Sequence, residues 1–153
     1  MAFQSDGGLA KARKAVEATL RDLGLDPAKN AIEPAPGGLA WHVARGSADV
    51  MIALNPASGG GSARLRLVSP VVRVDFDVKP AMLMRLLELN AAKLPGIAFG
   101  VLGDKVVLVA ERSVRDLDRG EVEELLAAIG HYADKYDDEL AREFGGARVC
   151  DTD

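Results

Sequence analysis

PAMLMRLLELNAAKLPGIAFGVLGDKVVLVAER (residues 80–112) is the stretch from which the fold is read. It predicts a helix from Met82 to Lys93, a turn at Leu94-Pro95-Gly96, and a hairpin of two apolar strands. At about 100° per residue, Met82, Leu83, Met84, Leu86, Leu87, Leu89 and Leu94 cover an arc of roughly 220°. Ala81, Arg85, Glu88 and Ala92 hold the remaining side. A helix resting on one sheet needs an apolar stripe only a little wider than ~100°. This helix is therefore expected to be buried on two sides, by a sheet on one and by a second helix, a ligand or another subunit on the other. Asn90 falls inside the apolar arc, between Leu83 and Leu86. A buried amide without partners costs roughly 1–3 kcal/mol, so Asn90 is expected to tie the helix end to neighbouring backbone. A polar contact to a bound segment is its functional alternative.

Working outward, Leu9, Ala12, Val16, Leu20 and Leu23 fall on one face of a helix over residues 9–23, with Ser5 or Asp6 as its cap. Gly24 suits the left-handed position beyond its end, and Leu25 can fold back on the last turn. Pro27, Pro34 and Pro36 with Gly37-Gly38 mark an irregular connection. Leu39, Trp41 and Val43 then alternate with smaller or polar residues, as do Val50, Ile52 and Leu54, around a turn at Arg45-Gly46-Ser47-Ala48. Residues 55–62, with Gly59-Gly60-Gly61, read as a loop; a strand follows it directly, so no helix N-terminus is there to cradle phosphate.

In the third strand Leu65 and Leu67 are odd while Val72, Val74, Phe76 and Val78 are even, which one face cannot accommodate without a bulge at Ser69-Pro70. After the central helix, Ile97, Phe99 and Val101 alternate, Gly103-Asp104 turns, and Val106 to Val109 is continuously apolar. The last helix runs from Arg119 to Phe144, with Asp118 and Glu121 at capping-box spacing and Gly145-Gly146 at its end. Its acidic side chains read as a solvated face.

At 153 residues the chain is expected to form one domain, residues 1–153 with a core over about 9–145, needing no disulfide or metal. Residues 1–79 carry 10 basic and 8 acidic side chains, whereas residues 80–153 carry 9 and 15. That balance disfavours nucleic acid as a partner, because phosphate binding needs a positive footprint. The single Cys150 stands beside Asp151, a poor setting for a reactive thiol. No signal-like N-terminus or long apolar run is present, so a cytoplasmic protein without a membrane partner is expected. His42 and His131 lie on separate elements, and the carboxylates crowd onto one exposed helix rather than into two different environments. No nucleophile motif occurs, and neither catalytic residues, a metal nor a cofactor is expected.

The element order is α-βββ-α-ββ-α. With Leu86-Leu87-Glu88-Leu89-Asn90, Phe99-Gly100-Val101, Val106 to Val109 and Tyr132-Ala133-Asp134-Lys135-Tyr136-Asp137-Asp138-Glu139-Leu140, it resembles the type III secretion chaperone-like fold, in particular the YbjN-like and Tir-chaperone-like group. Ser69-Pro70 stands where that group often has a proline before its central helix. The resemblance spans residues 9–145. It implies an α+β fold with an antiparallel sheet, frequent dimers, binding of peptide segments and no catalysis; Asn90 is the one polar position it carries over, in a structural role. The expected protein is a non-enzymatic, homodimeric chaperone-like module of a bacterial cytoplasm that holds an extended peptide segment of a partner protein. Leu65 and Leu67, on a strand read as an edge, and Met82 and Leu86 on the central helix are the expected contacts. A sensory domain for a small apolar ligand is the alternative.

Overall fold

The computed structural model describes residues 5–74 and 79–151, apart from the side chains of residues 5, 6 and 151. Phe76 and Val78, expected to extend the third strand, lie outside the described residues. Helix α1 spans Ser5–Asp22, so residues 5 and 6 belong to its first turn instead of capping it. It ends as its sequence requires: Gly24 takes a φ of 76°, and the Leu25 N–H donates to the Leu20 carbonyl at 2.9 Å. The connection that follows is more ordered than its prolines suggest. Asp26 caps a one-turn helix α2 (Pro27–Asn30) by accepting from the Ala28 N–H at 2.9 Å, and Pro27 sits where a missing N–H costs nothing. A two-residue strand β1 (Ala31–Ile32) comes directly after it.

Strands β2 (Leu39–Arg45), β3 (Ala48–Asn55) and β4 (Arg64–Arg73) are followed by α3 (Pro80–Ala92). Then come β5 (Ala98–Leu102), β6 (Lys105–Ser113), α4 (Arg119–Phe144) and a short β7 (Ala147–Arg148). The fold is α+β, an antiparallel sheet in the order β1-β2-β3-β4-β6-β5 with β7 paired to the end of β4. Its register stacks apolar partners on one face: Trp41 opposite Ile52, Leu54 opposite Leu65, Ile52 opposite Leu67, and Leu67 opposite Ala110. Onto that face α4 lays Val122, Leu126, Ile129, Ala133, Tyr136 and Leu140, and α1 adds Ala12, Val16 and Leu20. Asp118 and Glu121 close the expected capping box.

The phase change in β4 is resolved by a bulge between Pro70 and Val72. Val71 is the extra residue, and Leu65, Leu67 and Val72 thereby share the buried face. The buried Ser69 hydroxyl at this point donates to the Asp49 carbonyl at 2.8 Å, so its polarity is satisfied. One expectation needs correction: β4 is not an edge. It lies between β3 and β6, in the middle of the sheet.

Candidate functional site

Helix α3 starts without a side-chain cap, relying on Pro80 in its first turn. Met82, Leu86 and Leu89 form the inner stripe and are buried with Leu94 and Ile97 in the common core. The rest of the wide apolar arc is bare. Leu83, Met84 and Leu87 are 41%, 59% and 62% exposed. The chain thus covers one side of its central helix and leaves the other apolar and wet, and Val101 and Leu102 of β5 are exposed too.

Asn90 lies on the same helical stripe as Leu83 and Leu87, seven and three residues before it. Its Nδ2 donates to the Phe99 carbonyl at 3.1 Å, and its Oδ1 accepts from the Phe99 N–H at 2.6 Å. Phe99 belongs to β5, which closes the sheet on that side. Leu102 and Lys105 pair across the Gly103-Asp104 turn, and alternation from that pair turns the backbone groups of Phe99 away from β6. The amide occupies both of them, as a neighbouring strand would. Asn90→Leu therefore leaves a backbone donor and acceptor without partners, and the expected loss is about 1–3 kcal/mol. Thermal melts check it; an unchanged or raised midpoint counts against the clamp.

The opposite edge is built differently. Strand β1 pairs with β2 at Trp41 and Ala40 alone, and His42 to Arg45 have no strand on that side among the described residues. Beside β1 runs a surface groove of about 350 Å³, lined by Ile32, Pro34, Leu39 and Trp41 and by Arg13, Glu17, Arg21 and Asp26. Arg13 and Arg21 both hold Glu17, at 2.7 and 3.2 Å. The hydrogen bond from Arg13 is the main reason that the Glu17 carboxyl titrates below its usual range. Two cations and two carboxylates leave the groove near neutral, so its discriminating surface is apolar.

Of the expected contact residues, Leu65 and Leu67 are fully buried on interior β4, and Met82 and Leu86 are buried under α3. They are brought together, but as core. Sequence periodicity located them correctly on the apolar face and could not distinguish a face covered by α4 from one left open. One buried polar group was also hidden in the pattern. Asp137, read as part of a solvated helical face, is 6% exposed. Its Oδ2 lies 3.0 Å from the Ser47 hydroxyl, which also donates to Asp134 at 2.5 Å. The pair ties the β2–β3 turn to α4, and the Ser47 hydrogen bond holds the Asp134 carboxyl below its ordinary range. Gly46, φ 63°, passes so close to Asp134 that a Cβ there would meet its Oδ1 at 3.3 Å.

His42 pairs with Asp49 across the β2–β3 hairpin at 3.2 Å, while His131 packs edge-on to Tyr132 on α4. Among the described residues no group of three His, Cys, Asp or Glu side chains is placed to hold a metal, and no helix is long and apolar enough to cross a membrane.

Comparison with known proteins agrees with this architecture. No curated protein matches the sequence. A chain of the ExsC–ExsE complex superposes with a TM-score of 0.63 at 19% identity, over 86% of this chain and 95% of that one. A chain of the HopA1–SchA chaperone–effector complex gives 0.60 at 10% identity, over 87% and 98%. One from the complex of the Yersinia pestis type III secretion chaperone SycH with a stable fragment of YscM2 gives 0.53 at 17%, over 81% and 98%. At such identities these likenesses establish the fold. The family is established by the sequence itself, since the family model described as T3SS (YopN, CesT) and YbjN peptide-binding chaperone 1 matches residues 10–152. The chain belongs to that family and is a peptide-binding chaperone-like module.

Proposed function

We propose that the protein holds an extended, partly apolar segment of a second protein, that it does so in the cytoplasm without catalysing a reaction, and that it works as a homodimer. The observation that carries the binding mode is the edge of β2. His42 to Arg45 offer backbone groups with no neighbouring strand among the described residues, next to a groove floored by Trp41 and Leu39. A strand added to such an edge takes affinity from backbone hydrogen bonds and selectivity from alternate side chains. Leu65, Leu67, Met82 and Leu86, expected to touch the client, are buried in the core. We assign client contact to the β2 edge and its groove. Two of the similar structures contain a chaperone with a bound protein, which supports a protein client over a small apolar ligand.

The exposed stripe of Leu83, Met84 and Leu87 supports the homodimer. An isologous contact would cover it on both copies at once.

Pull-down from the native cytoplasm, followed by mass spectrometry and backbone NMR with the synthetic client segment, tests the reading. The expected result is a protein client whose segment shifts the amides of residues 40–45. Recovery of a stoichiometric apolar metabolite and no protein client would overturn it.

A further inference from the structure

Each lateral edge of the sheet is blocked over part of its length, by devices of different strength. On β5, Asn90 fills the two outward backbone groups of Phe99 from a 13-residue helix whose inner stripe is anchored in the core. On β2, the block is β1, two residues long and exposed at both. Pairing of Arg45 with Ala48 across a two-residue turn sets the alternation of β2, so that Ala40, His42 and Ala44 direct their N–H and C=O groups outward. Ile32 stands opposite Ala40, and β1 supplies no partner for the other two.

The flanks of β1 keep it short. Asp26 and buried Pro27 fix its upstream side through α2. Downstream, Pro34 and Pro36 lack the N–H that a longer ladder would need. Gly37 at φ 76° then turns the chain back, and a Cβ on Gly38 would meet the Leu54 carbonyl at 2.8 Å. A strand held by so few bonds, between a fixed helix and a glycine turn, opens at far lower cost than the β2–β3 or β3–β4 ladders. Once it leaves, the outer lane from Ala40 to Arg45 has the length of an average strand, about 5–6 residues.

We propose that residues 31–36 form a removable internal strand, which occupies the client's lane on β2 and is displaced when the client binds. This rests on the peptide-binding function proposed above and adds its regulation. Ile32 marks the kind of side chain the groove accepts, an aliphatic one, because Arg13 and Arg21 are balanced by Glu17 and Asp26 and leave the groove no net charge to read.

The test compares three forms of the full chain, all carrying Cys150→Ser. One has no further change. One carries Ile32→Pro, which removes the N–H that β1 directs at Ala40. The third carries Ile32→Cys with Ala40→Cys, facing positions that a disulfide can bridge. The probe is a dodecapeptide selected from a displayed random library on the Ile32→Pro form. Affinity for it falls with the fraction of molecules whose lane is open. The expected order is Ile32→Pro tightest, the unlocked chain on the order of 10-fold weaker, and the oxidised double cysteine without measurable binding until a reductant restores it. Restoration separates a locked lane from a damaged fold. Equal affinity in oxidised and reduced forms overturns the removable strand while leaving the peptide-binding function intact. Failure to select any peptide, with no form binding, overturns both.

Discussion

Leu67→Asp is expected to leave no folded domain. Leu67 is fully buried in the middle of the sheet, opposite Ile52 on β3 and Ala110 on β6. Truncating a buried leucine costs about 2–5 kcal/mol through lost transfer energy and the cavity left behind. An aspartate adds the burial of a carboxylate between the apolar Ile52 and Ala110, several kcal/mol more even after relaxation. The sum is comparable to the whole stability of a domain this size, about 5–15 kcal/mol. Circular dichroism and urea melts check it: the variant should show no cooperative transition. A variant that melts normally and has merely lost its client would mean that β4 is accessible, which its position in the sheet opposes. Leu86→Asp carries the same risk, as Leu86 is 4% exposed. Neither substitution can serve as a probe of client binding.

That outcome also marks the boundary of what the sequence discloses. Period-two alternation, the phase slip at Ser69-Pro70, the capping box and the glycine-terminated helices each have a local cause, and all of them are legible in the chain. Which strand is an edge has no local cause. The order β4-β6-β5 places the last hairpin beside β4 with α3 crossing between them, a non-local pairing that no residue of β4 announces. The same limit hid Asp137, whose surroundings are set by a turn ninety positions away in sequence. It hid β1 as well, since two residues are too few to show a period. Asn90 was readable because a polar residue inside an apolar arc is itself a signal. Its partner, the backbone of Phe99, lies nine residues on, within the reach of a single turn.

The width of the α3 arc carries a second large effect. Met84 and Leu87 are the most exposed large apolar side chains described, at 59% and 62%, and Leu83 at 41% stands one turn before Leu87 on the same stripe. Solitary exposed apolar residues are ordinary, but three on adjacent turns of one helix form a stripe of the kind that interfaces cover. Met84→Glu with Leu87→Glu should convert the proposed homodimer to a monomer. Two-fold symmetry places each substitution on both sides of the contact, so every added carboxylate is desolvated against its own copy. A rise of at least ~100-fold in the dissociation constant is expected, about 2.7 kcal/mol. The fold should survive, because substitutions at exposed positions usually stay within about 0.5 kcal/mol. Light scattering and sedimentation at micromolar concentration, alongside melts of the separated monomer, check both halves. A wild-type chain that is already monomeric under these conditions would sink the homodimer.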